Sequence, residues 1–216
     1  MTTDNCWYKK VCTNNCSEGC IRYIEMRGLM EKSRIPESRW NPATLSPDDC
    51  DYDAFCDLAD IKDDIVGFVC NGENLYLYSR ETGNGKTTWA IKLMLKYFNE
   101  IWAGNGLRCR GLFIHVPTFL TQLKNFNIQD EEFERVKQIL PTVDFVIWDD
   151  IASTDLSSYD HSQLLTYIDQ RILGRKSNIF TGNLGNPDIT KALGVRLASR
   201  VWNSSTKIEL KGRDKR

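Results

Sequence analysis

The chain predicts an α/β fold, a five-stranded parallel sheet wound with helices and preceded by a small cysteine-rich segment. Three observations carry this. From residue 74 onward short apolar runs alternate with segments of helical period, the grammar of a doubly wound sheet. The runs are almost continuously apolar, as strands covered on both faces are. A glycine-rich stretch lies directly between the first run and the first helix of that series. With 216 residues, 41% of them apolar and 26% charged, the chain can bury the core of one domain with a small appendage. It is too apolar for a disordered chain.

The amino-terminal part opens on four cysteines, Cys6, Cys12, Cys16 and Cys20, spaced C-x5-C-x3-C-x3-C. No apolar run approaches the length of a membrane span, and the polar start lacks the apolar segment of a secretory signal, so a cytoplasmic location is expected. In a reducing compartment clustered thiols read as metal ligands before disulfides. Four thiolates around one tetrahedral zinc suit a segment too short for its own core. An iron–sulfur cluster and unligated thiols remain open beside zinc. Cys50, Cys56, Cys70 and Cys109 are scattered and read as small buried hydrophobes.

Residues 21–30 carry apolar side chains at 21, 24, 26 and 30, which predicts a helix leaving the cysteine segment. Pro36, Pro42 and Pro47 mark an extended connector. After an acidic stretch at 48–53, Phe55, Leu58, Ile61, Ile65 and Phe68 recur at helical spacing and predict one helix over 54–69 that docks on the main domain, with a partner surface as the alternative. Strands are expected at 75–78, 112–116, 143–148, 178–181 and 206–210. Helices are expected at 86–102, 117–125, 131–140 and 162–174. The division is a zinc-binding segment over 1–33, a linker and docking helix over 34–70, and the α/β domain over 71–216.

Net charge is −1, which excludes a polycation coating nucleic acid by charge alone. The distribution is uneven. Residues 1–40 balance at +2, 41–70 at −7 and 71–216 at +4.

The sharpest signal is SRETGNGKT over 79–87. Between a strand and a helix, its glycines let successive backbone N–H groups turn inward while the helix N-terminus adds partial positive charge. Lys86 then reaches β- and γ-phosphates, and the Thr87 hydroxyl serves magnesium. Arg80 stands where the first glycine of such loops is usual, and is expected to face solvent. About 60 residues on, FVIWDD over 145–150 ends an apolar strand in Asp149 and Asp150. At that sheet edge Asp149 is the candidate for the magnesium shell and Asp150 for polarising the attacking water. The next strand runs into Gly182-Asn183, where Asn183 orients water or simply forms a turn. In GVRLASR over 194–200, Arg196 and Arg200 lie four apart on one helical face, and the chain closes on KGRDKR over 211–216.

GNGKT, VIWDD, TGN, RLASR and a basic terminal segment, in this order, resemble the AAA+ ATPases of the DnaC/DnaI helicase-loader type. The closest likeness is to short loader-like replication proteins of phages and Firmicutes with a zinc-binding amino-terminal segment. The resemblance spans essentially all 216 residues. It implies that Gly83, Asn84, Gly85, Lys86, Thr87 and Thr88 cradle ATP, and that Asp149 and Asp150 form the magnesium and water site, Asp150 standing where such ATPases often carry Glu. It implies that Asn183 is the first sensor, Arg196 the arginine finger acting in trans with Arg200 as the alternative, and Arg216 the second sensor with Arg213 as the alternative. No separate helical lid is expected. The implied activity is ATP-dependent delivery of a hexameric DnaB-type helicase to single-stranded DNA, the chain acting as a homo-oligomer and meeting the helicase through its amino-terminal portion. Lys124 and Phe126, in the stretch 119–126, are candidate DNA contacts, although Phe119, Leu120 and Leu123 beside them read as core. An IstB-like transposition helper shares these features, and a protein that binds the helicase or a host loader without turnover is the reading of a different class. A small-molecule phosphotransferase fits less well.

Overall fold

A computed structural model describes residues 6–7, 12, 19–105, 108–125, 130–153 and 155–215. In chain order the elements are α1 (Ile21–Lys32), α2 (Tyr52–Asp63), α3 (Ile65–Cys70), β1 (Asn74–Tyr78), α4 (Lys86–Ile101), β2 (Gly111–His115), α5 (Val116–Lys124), α6 (Glu131–Ile139), β3 (Phe145–Asp149), α7 (Ser158–Leu173), β4 (Ser177–Gly182), α8 (Asp188–Ala198) and β5 (Thr206–Glu209). The five strands form one all-parallel sheet in the order β2-β3-β4-β1-β5. No helix among the described residues is long and apolar enough to cross a membrane.

Alternation along the strands sorts the core into two layers. Leu75, Leu77, Phe113, Phe145, Ile147, Ile179 and Ile208 face one side, where α1 to α4 cover them with Met30, Leu58, Ile65, Phe68, Ala90, Met94 and Phe98. Tyr76, Leu112, Ile114, Val146, Trp148 and Phe180 face the other, under α5 to α8. Both faces being covered, the strands read as unbroken apolar runs.

Several elements differ from expectation. The helix expected over 54–69 is two, broken at Asp64, whose φ/ψ of −109°/39° is not helical. Asp64 is at once the C-cap of α2 and the N-cap of α3, and Asp is among the residues that favour a helix N-cap. Both pieces dock as predicted, with Phe55, Leu58, Ile65 and Phe68 in the core. Cys50, Cys56 and Cys70 are exposed and Cys109 half-buried, against the expectation that they are buried. On α2 the core face is set by Phe55 and Leu58, and Cys56 is turned about 100° from the first of these. Ile21 and Ile24 of α1 are likewise exposed, the buried stripe being Met26, Leu29 and Met30. Helix α7 starts four residues before the expected point because Ser157 and Asp160 form a capping box.

Arg171 of α7 is fully buried. Its guanidinium donates to the carbonyls of Leu140 at 2.7 Å, Val143 at 2.8 Å and Ser177 at 2.6 Å and to Asn178 Oδ1 at 2.7 Å. Burial pulls its pKa down to about 9 against the pull of Asp144. These bonds tie α7 to the chain entering β3 and β4, so they fix where both strands begin. Arg171→Met should cost about 3 kcal/mol or more in urea unfolding, because it orphans several buried carbonyls at once.

Candidate nucleotide site

Residues 79–85 run from the end of β1 to the start of α4, and the pocket they border lies at the carboxyl ends of the strands, where parallel α/β sheets take ligands. Gly83 (φ 76°) and Gly85 (φ 101°) adopt left-handed backbone that side chains resist, and Gly85 is the N-cap of α4. Asn84 is fully buried; its amide donates to Ser79 Oγ and to the Leu210 carbonyl at 3.0 Å, which anchors the loop to the end of β5. Lys86 Nζ donates to the Glu81 carbonyl at 2.9 Å and to Asn84 Oδ1 at 3.2 Å, so the ammonium is held across the mouth of the loop. Arg80 is exposed, as expected.

Asp149, at the end of β3, is 6% exposed. Its Oδ1 accepts from Thr87 Oγ1 at 2.7 Å and from Thr181 Oγ1 at 2.8 Å. Thr181 in turn accepts the Asp150 N–H at 3.0 Å. A carboxylate and a hydroxyl thus meet beside the loop, an all-oxygen donor set that suits magnesium. Asp150 follows with φ 63°, a left-handed conformation that Asp tolerates and that clusters at functional sites. Asn183 is half-buried just beyond β4, on the strand between β1 and β3, hence at the same sheet edge as the loop and Asp149.

The arginines differ. Arg196 is exposed in the last turn of α8, after the non-helical Gly194 (φ 67°, ψ 161°), and its side chain makes no hydrogen bond or ion pair with the described residues. Arg200, in a π-helical turn over Ser199–Asn203, pairs with Asp169 at 2.5 Å. Arg213 is exposed, and Arg216 lies outside the described residues. Lys124 pairs with the buried Asp160 at 2.8 Å, Phe119, Leu120 and Leu123 are core, and Phe126 lies outside the described residues. Of the amino-terminal cysteines, Cys6 is half-buried, Cys12 and Cys20 are exposed, and Cys16 lies outside the described residues. Among the described residues no group of three or more His, Cys, Asp or Glu side chains is disposed to hold a metal ion.

Sequence reasoning missed two parts of the site. Thr181 was read only as strand, yet it orients Asp149. The walls of the pocket were also missed. A cleft of about 450 Å³ is bounded on one side by 83–88 and on the other by Arg39, Asn41, Pro42 and Leu45 of the connector and by Lys215. Asp48 accepts from the Arg213 N–H at 2.9 Å and from Lys215 Nζ at 3.2 Å, and these bonds hold its carboxyl below the ordinary carboxylate range. The −7 and +4 charge balances were the available signal.

No family model matches the chain, and no curated protein matches it. Solved structures do. The DnaC helicase loader superposes with a TM-score of 0.67 at 20% identity, over 82% of this chain and 100% of that one. DnaI gives 0.58 at 20% identity, over 87% and 93%. A replication initiator DnaA bound to AMPPCP and single-stranded DNA gives 0.58 at 13% identity, over 88% and 51%. At these identities the likeness is one of fold, which this chain shares with the DnaC helicase loader and DnaI.

Thr181→Val keeps the shape of the strand and removes the hydroxyl shared by Asp149 and Asp150. It should cost about 1 to 3 kcal/mol in urea unfolding, with far-ultraviolet circular dichroism unchanged.

Proposed function

We propose that the chain is an ATP-dependent loader of a hexameric DnaB-type helicase onto single-stranded DNA, working in the initiation of DNA replication. The observation that carries the reading is the convergence of the Lys86 ammonium, the Thr87 hydroxyl and the Asp149 carboxylate on one loop at the carboxyl edge of a parallel sheet. The backbone amides of 83–88, which line the cleft, bind the phosphates, and Lys86 exchanges its Glu81 and Asn84 acceptors for phosphate oxygens. Thr87 and Asp149 hold magnesium, which when bound neutralises charge on the β- and γ-phosphates. Thr181 keeps Asp149 oriented. Asp150 accepts the proton of the attacking water, and Asn183 aligns that water.

Arg196 supplies positive charge to a nucleotide on an adjoining copy of the chain, which its exposure and its lack of a side-chain partner among the described residues support. Arg200, already paired with Asp169, is the weaker candidate. Arg216, with Arg213 as alternative, senses the nucleotide from the terminal segment. The 1–33 segment meets the helicase, 34–70 links, and 71–216 is the ATPase. Zinc on Cys6, Cys12, Cys16 and Cys20 is carried by their spacing alone, and a cytoplasmic location follows from the function. The described helicase loaders and the DNA-bound initiator of the same fold favour this reading over an IstB-like helper.

Lys86→Ala should lower affinity for ATP at least about 100-fold without loss of fold, read by titration with a fluorescent ATP analogue and by thermal melting. Unchanged affinity overturns the nucleotide site. Arg196→Ala should bind ATP as the parent does and lose about 10³-fold or more in turnover on the assembled helicase. ATPase rates with and without single-stranded DNA separate the classes: a loader responds to DNA, whereas a small-molecule phosphotransferase does not.

A further inference from the structure

The acidic connector and the basic terminal segment meet across the nucleotide cleft. Lys215 Nζ donates to the Ser46 carbonyl at 2.8 Å and to Asp48 Oδ2 at 3.2 Å, and lies 3.9 Å from Asp51 Oδ2. Three further backbone bonds fasten the same segment. The Lys211 N–H donates to Asp51 Oδ1 at 2.5 Å, the Arg213 N–H to Asp48 Oδ2, and the Lys215 N–H to the Gly83 carbonyl at 2.9 Å. Gly212 lies so close to the Asp48 and Asp51 carboxylates that a Cβ there would collide with both. Asp51 is fully buried, and its Oδ2 accepts no hydrogen bond. A buried carboxylate oxygen left in that state is costly, so the clasp is only partly satisfied.

Lys215 therefore has two sets of acceptors within reach. Its ammonium is held by the connector, while its side chain lines the cleft bounded by 83–88. An ammonium has three donors on a flexible stem and follows the stronger field. A magnesium-bound triphosphate in that cleft offers several charged oxygens, against one half-exposed carboxylate and one buried carboxylate that does not complete its bond.

We propose that Lys215 is a nucleotide-sensing residue whose ammonium passes from Asp48 and Asp51 to the polyphosphate of bound nucleotide, so that occupancy of the cleft loosens the connector from the terminal segment. The inference rests on the nucleotide reading of the 83–88 loop. It goes beyond that reading by giving the linker a reason to respond, since residues 46–51 join the helix following the cysteine segment to the α/β domain. Coupling of this kind is reciprocal. If nucleotide loosens the clasp, a weakened clasp must tighten nucleotide.

A double-mutant cycle on the full chain tests it, with a fluorescent ATP analogue and magnesium as the probe and thermal melting as the check on folding. Asp48→Asn keeps an acceptor for the Arg213 N–H and removes the charge; it should bind about two- to fivefold tighter, the range of a partly exposed ion pair. Lys215→Met should bind about two- to fivefold more weakly. In the Lys215→Met background, Asp48→Asn should have no effect, which separates a handover from a general loss of negative charge near the cleft. Amide exchange over 46–51 should quicken with saturating ATP in the parent and not in Lys215→Met. Shifts of the two single variants in the same direction, an undiminished Asp48→Asn effect without Lys215, or amide exchange over 46–51 that nucleotide leaves unchanged overturns the handover while parent binding leaves the loop reading standing. A parent chain that binds no nucleotide overturns both.

Discussion

One shared acceptor joins the fold to the candidate site. Asp149 Oδ1 takes hydroxyl hydrogens from Thr87 at the start of α4 and from Thr181 on β4, so helix, loop and two neighbouring strands converge on a single carboxylate. The strand order makes this possible. With β4 between β1 and β3, the loop after β1 and the end of β3 stand on either side of the same strand, and Thr181 is the side chain between them. A hydroxyl there does two jobs, donating to Asp149 and accepting from the Asp150 backbone. The left-handed turn at Asp150 is held by that second bond, and with it the direction in which its carboxylate leaves the strand.

The sheet that presents this edge is braced at its opposite end by Arg171. Its donors meet carbonyls and one amide oxygen, with no carboxylate among them, so every hydrogen bond of the cation goes to a neutral dipole. The cost of burying that charge is offset only while every acceptor stays in place, so the register of β3 against β4 is coupled to the position of α7. Any slip of β3 by one residue would turn Asp149 to the opposite face and Trp148 toward the loop. The brace at one end thus protects the geometry at the other.

Most of the α/β domain was legible from residue types. Unbroken apolar runs gave strands, 3.6-residue periods gave helices, and GNGKT and the Asp-Asp pair fell where parallel topology requires them. What was not legible has physical reasons. The break at Asp64 is a capping position shared by two helices, which apolar periodicity does not register. The early start of α7 is signalled by Ser157-x-x-Asp160, but Asp is an uncommon third residue in a capping box, where Glu or Gln is usual. The exposure of Cys56 is a matter of helix phase, settled by which neighbours the sheet has room for. Thr181 looked like strand filler because β-branched residues are common in strands whether or not their hydroxyls are used. Contacts between 46–51 and 211–215 span some 160 residues of sequence, and charge balance alone does not specify such a pairing.

Three arginines illustrate how burial, more than residue type, decides what a cation does here. Arg171 is wholly enclosed and consumes its donors in holding the fold. Arg200 sits at the surface against Asp169, where water and salt screen the pair and its contribution is small. Arg196 is equally exposed, but the kink at Gly194 and the buried Leu193, Leu197 and Ala198 fix the backbone that carries it. A guanidinium on a backbone anchored in this way loses less entropy on meeting an external anion than one on a mobile loop. A rigid base whose head has no partner among the described residues is therefore an arrangement suited to recognition from outside the chain, and the sequence spacing of Arg196 and Arg200, identical in type and both on the surface, contains nothing that would have separated the two.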